Sequence, residues 1–121
     1  MDKQFAEDKL IQAVRDYDPF YTQNNESRIW SEFVYKEITG INTTLLLLRD
    51  QLILLGKVLE EHPDGGYYIS SIAIKHNPTL VFIGLESGTV YIAAYAKEGL
   101  IKQHTAEKAA IVLKKAMDQL S

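Results

Sequence analysis

The chain has 121 residues, 46% of them hydrophobic and 24% charged, with a formal net charge of −3 and no cysteine. These proportions describe one globular domain over residues 1–121, large enough to bury a core without staples, and they exclude disulfide and thiolate chemistry. The 13 Lys and Arg residues are scattered rather than clustered, so a nucleic-acid partner is not expected.

The first expected element is a helix over residues 2–17, in which Ala6, Leu10, Ala13, Val14 and Tyr17 recur on one face. Its acidic opening, MDKQFAEDKL, lacks the apolar core of a secretion signal, and a cytoplasmic location is the resulting expectation. Asp18–Pro19 breaks this helix into a loop. A second helix is expected from about Ser27, capped by Asn24 or Asn25, with Ile29, Trp30, Phe33, Val34 and Ile38 inward and Gly40 as its stop. Arg28 and Glu32 have the i, i+4 spacing of a surface ion pair on such a helix.

The third element is the most apolar. From Leu45 to Leu59, ten of fifteen residues are Leu, Ile or Val. A membrane span needs about 20 apolar residues, and Arg49 and Asp50 interrupt the run. Each central charge costs roughly 2.5–3.5 kcal/mol on insertion against a return of about 0.3–0.6 per Leu. The run is therefore expected to be a helix outside the membrane, capped by Asn42, Thr43 or Thr44 and ended by HPDGG at residues 62–66. Leu45, Leu48, Leu52, Leu55 and Leu59 form one stripe, and Leu47, Leu54 and Val58 a second. About two-thirds of the surface is apolar, wider than a single core-facing stripe. Such a helix is expected to be covered on two sides, within the domain or between two chains. Leu45, Leu48, Leu52 and Leu55 are the expected interface residues. Arg49 and Asp50 mark either its solvent strip or an ion pair across that interface.

The pattern then changes to strands in GYYISSIAIK, TLVFIGL and TVYIAAYA, followed by an amphipathic helix from Thr105. Ala106, Ala109, Ala110, Leu113, Ala116, Met117 and Leu120 line one face of that helix. The fold class is thus α+β: three N-terminal helices, a three-stranded antiparallel meander and a C-terminal helix. In element order alone, the long helix, three strands and closing helix resemble part of the roadblock and profilin-like architectures, without their two opening strands.

A three-residue loop with Gly88 left-handed would pair Leu85 with Thr89 and Val81 with Ala93, and a four-residue loop at residues 75–78 would pair Ile72 with Phe82. The core face would then hold Ile72, Ile74, Leu80, Phe82, Val90, Ile92 and Ala94. The opposite face would hold Ser71, Ile83, Tyr91 and Tyr95, the expected ligand- or partner-binding residues, unless a helix packs there instead.

The three histidines, His62, His76 and His104, end elements and lack metal-ligand spacing, so no metal and no cofactor is expected. His76 and His104 would share one end of the meander, and His62 would lie near Glu86 at the other. Ser70 and Ser71 lack the strand–turn–helix context of a nucleophile. No catalytic residue is assigned, and an enzyme is not favoured. The leading expectation is a small interaction or regulatory module, acting as a homodimer or as the cognate partner or neutraliser of another protein. The alternative is a small-ligand sensor or small enzyme using the tyrosine-bearing sheet face.

Overall fold

The computed structural model describes residues 1–17, 31–74, 77–97 and 104–119. Helix α1 spans Lys3–Tyr17 and buries Ala6, Leu10, Ala13 and Val14, as their spacing requires, whereas Tyr17 at its end stays exposed. Strand β1 (Ser31–Ile38) follows, then α2 (Leu45–Leu55), β2 (Gly56–His62) and a single 3-10 turn at Pro63–Gly65. Strands β3 (Tyr67–Ile74), β4 (Asn77–Glu86) and β5 (Thr89–Lys97) precede the last helix, α3 (Thr105–Asp118). The strands form one antiparallel sheet in the order β1-β5-β4-β3-β2.

The class is α+β, but the expected four helices, three of them N-terminal, and three-stranded meander are corrected to three helices and one five-stranded antiparallel sheet among the described residues. Residues 31–38, expected in a second helix, pair along their whole length with β5. Their apolar positions fit a helical period and a strand period about equally well, and the aromatic and β-branched composition of SEFVYKEI favours the strand. An i, i+4 pair has no meaning in a strand, which removes the helical ion pair at Glu32; Arg28 and the expected caps lie outside the described residues. The leucine-rich helix stops at Leu55, six residues short of the expected end before HPDGG, because Gly56 begins the edge strand β2. A Cβ at Gly56 would lie 2.1 Å from the Ser71 carbonyl oxygen, so only glycine admits this approach of β2 to β3. The buried Ser70 hydroxyl secures the same edge, donating to the Lys57 carbonyl at 2.8 Å.

The hairpin between β4 and β5 is tighter than expected. Glu86 pairs with Thr89 across a two-residue turn in which Ser87 and Gly88 both have positive φ, 52° and 76°. A one-residue change of register exchanges a strand's two faces. Val81 consequently pairs with Ala94, not Ala93, and Ile72 pairs with Thr79, not Phe82. The expected faces hold for β3 and β5 and are inverted for β4.

Helices α2 and α3 cover one face of the sheet, packing on β2–β3 and β1–β5 respectively. Leu48, Leu52, Tyr68, Ile72, Val81, Ile83, Val90, Ile92, Leu113 and Met117 belong to this core. Helix α1 covers the other face at β4 and β5, over Tyr67, Ile69, Phe82, Ala93 and Tyr95. The C-terminal helix begins at Thr105 as expected and buries Ala106, Ala109, Ala110, Leu113 and Met117; Leu120 lies outside the described residues. Among the described residues no helix is long and apolar enough to cross a membrane.

Candidate functional site

Helix α2 carries apolar residues on almost every side but has one protein surface beneath it. Thr44 sets its start, the hydroxyl accepting from the Leu47 amide at 3.3 Å. From there the sheet takes up Leu48 and Leu52 completely and Leu45 and Leu55 in part. These are the four expected interface residues, and the protein's own core holds them. The opposite side is open: Leu46 is 65% exposed, Leu47 44%, Ile53 49% and Leu54 78%. The helix is thus covered on one side within the chain, not two, and the outer residues, Leu47 and Leu54 of the second stripe with Leu46 and Ile53 beside them, lie outside the stripe expected at the interface. Their signal lay in the excess width of the apolar surface.

The two charges in the helix separate. Arg49 Nε donates to Glu61 Oε1 on β2, tying the flank of the helix to the edge strand, and the carboxylate raises the guanidinium above its usual range. Asp50 is exposed on the outer side, among the four apolar residues, within electrostatic reach of Arg49 and Tyr68.

The expected tyrosine surface is only partly assembled. Ser71, Tyr91 and Tyr95 share the α1 side of the sheet, while the inverted register of β4 places Ile83 in the opposite core. Tyr95 is buried and lies 4.9 Å, ring to ring, from Phe33; Tyr91 and Ser71 are half-buried. Burial raises the Tyr35 phenol far above its ordinary value, and the neighbouring Glu37 adds to the shift.

A second concave feature lies between α1, β2 and the turn that follows it. This open cleft of about 450 Å3 is lined by Phe5, Lys9, His62, Asp64 and Tyr67, among others. The His62 imidazole stacks on Tyr67 (4.6 Å, 18°), which stacks in turn on Phe82 (5.1 Å, 26°). His62 Nε2 is 2.8 Å from Glu60 Oε1, and Lys9 Nζ lies 5.5 Å from the Phe5 ring centre. Burial raises the Tyr67 phenol, and Glu60 raises it further. His62 therefore pairs with Glu60 rather than Glu86, which accepts from the Met1 amine at 2.6 Å. Sequence reasoning missed the Glu60–His62 pair beside this cleft because the expected helix, running on to HPDGG, hid the i, i+2 strand spacing that puts the two on one side.

His76 lies outside the described residues, and His104 occupies the N-cap of α3 with a left-handed backbone. No group of three or more His, Asp or Glu residues that would hold a metal ion occurs among the described residues. Comparison with known proteins finds no matching family model, no matching curated protein and no matching solved structure.

Proposed function

We propose that the protein is an interaction module that docks a segment of another protein on the outer face of α2. The observation that carries this reading is the exposure of Leu46, Leu47, Ile53 and Leu54 on one side of a helix whose other side is anchored in the core. Scattered exposed leucines are ordinary on a protein surface, whereas four grouped on one side of one helix offer the kind of apolar surface that contact sites use. The four side chains together leave more than two whole side chains' worth of apolar surface in water, on the order of 300 Å2. A stable interface between globular partners takes about 800 Å2 from each. The patch therefore fits a short docked segment, for which a helix laid along an apolar surface is a recurrent arrangement.

A photoreactive phenylalanine analogue at position 54, in cells, is expected to give a discrete protein adduct that Leu46→Glu abolishes. The same probe at the exposed position 114 on α3 is expected to give none. Matching adducts from both positions, or an adduct indifferent to Leu46→Glu, would refute the reading.

A second reading, a small-ligand sensor, is favoured by the cleft in which Lys9 and His62 lie beside the Tyr67 ring, with Glu60 holding the imidazole from outside the cleft. It predicts a rise in melting temperature with a small anionic metabolite that Lys9→Ala removes. Silence across a metabolite panel counts against it.

A further inference from the structure

Resting on the docking reading above, we infer that the occupant of the α2 face is an amphipathic helix carrying a Lys or Arg in the middle of its apolar stripe, and not a second copy of this chain. An α-helix turns by about 100° per residue. Around the helix the outer residues follow in the order Ile53, Leu46, Asp50, Leu54 and Leu47, within an arc of about 120°. Asp50 is the middle member of that arc, and it is also midway along the helix between Leu46 and Leu54. The centre of the patch is a carboxylate in both directions.

Covering the four apolar side chains takes water from Asp50 as well. A carboxylate that loses water needs an opposite charge or hydrogen-bond donors in its place. Among the described residues the neighbouring cation, Arg49, is hydrogen-bonded to Glu61 on the flank and acts on Asp50 only through space. The opposing charge has to come from the occupant.

The same position disfavours a second copy. A two-fold pair that sets the whole of one patch on the other has its axis across the helices at their midpoint or along them. Both arrangements set Asp50 against its own symmetry mate, because it is central in angle and in height. Like charges placed opposite each other in an interface oppose association. A membrane surface meets a related obstacle, since a carboxylate at the centre of the patch would have to enter the apolar layer with the leucines. A Lys or Arg flanked by apolar residues satisfies the whole face, with the cation on Asp50 and the flanking residues on Leu46, Leu47, Ile53 and Leu54.

The test uses the full chain and three synthetic amphipathic 18-residue peptides that differ only at the central stripe position: Lys, norleucine or Glu. Fluorescence anisotropy is expected to rank them in that order. Norleucine should bind roughly fivefold more weakly than Lys, and Glu at least roughly tenfold more weakly again. Asp50→Asn should bring the Lys and norleucine peptides level, and Asp50→Lys should make the Glu peptide the tightest. Equal binding of all three, lost in Leu54→Glu, overturns the charge assignment and leaves the docking face standing. If no peptide binds, or if binding ignores Leu54→Glu, both fall. A dimer in sedimentation equilibrium that Leu54→Glu dissolves overturns the inference in favour of a second copy. Binding to phosphatidylcholine vesicles that Leu54→Glu abolishes overturns it in favour of a membrane surface.

Discussion

Leu52 and Leu54 stand two positions apart on α2 and meet opposite surroundings, so truncating each to alanine separates the anchored side of the helix from the presented side. Leu52 is completely buried among the residues between α2 and the sheet. Removing its three outer carbons forfeits their burial and leaves a cavity that the surrounding sheet closes only partly, a loss of about 3 kcal/mol. Leu54 is 78% exposed, so about a fifth of a side-chain burial is at stake. That fraction amounts to about 0.5 kcal/mol, and the better helix propensity of alanine offsets part of it. Urea unfolding followed by circular dichroism should show a large fall in midpoint for Leu52→Ala and nearly none for Leu54→Ala, with the same slope in both. The binding assay should reverse the order, with Leu54→Ala the weaker binder. A stability loss above about 1.5 kcal/mol for Leu54→Ala would refute the account, because the residue would then have a structural neighbour that the fold does not provide.

Three further outcomes follow from the geometry. Gly56→Ala should cost about 3 kcal/mol in the same unfolding assay, since the new Cβ meets backbone at 2.1 Å; Gly40→Ala, with open space around it but φ of +72°, should cost only about 1 kcal/mol. Thr79→Val should raise the melting temperature by about 3–5 °C, because the buried Thr79 hydroxyl has no hydrogen-bond partner among the described residues and a methyl group of the same shape needs none. Raised phenol pKa values at Tyr35, Tyr67 and Tyr68, caused first by burial, mean that the unfolded chain deprotonates before the folded one. Stability should stay level on this account up to the ordinary tyrosine value near pH 10 and fall above it. Tyr35→Phe should make that fall shallower, as read from the urea midpoint against pH.

Both terminal helices were legible because each shows one apolar period bounded by polar residues: Ala6, Leu10, Ala13 and Val14 in α1, and Ala106 to Met117 in α3. The sheet was harder. SEFVYKEI carries apolar residues at positions compatible with two periods, and only pairing with β5, a long-range event, decides between them. In β4, TLVFIGL is apolar on both faces because helices cover both, so nothing in its own pattern fixed the register. That ambiguity moved Ile83 away from Ser71, Tyr91 and Tyr95. On α2 the surplus of leucine was evident from the sequence, but the stripe chosen as the contact was the one that folding uses. Which stripe turns inward depends on where β2 begins, and Gly56 reveals its role only through the nearness of the Ser71 carbonyl.

The absence of any connecting residue between Leu55 and Gly56 has a mechanical consequence. A helix joined by a slack loop can tilt when it is grasped and leave the sheet undisturbed. Here the last turn of the coil feeds straight into the outermost ribbon, and the Arg49–Glu61 clasp fastens the two a second time further along. Whatever leans on the helix therefore strains the hydrogen-bonded rungs joining the ribbon to its neighbour, and the grip on a guest is felt at the border of the sheet.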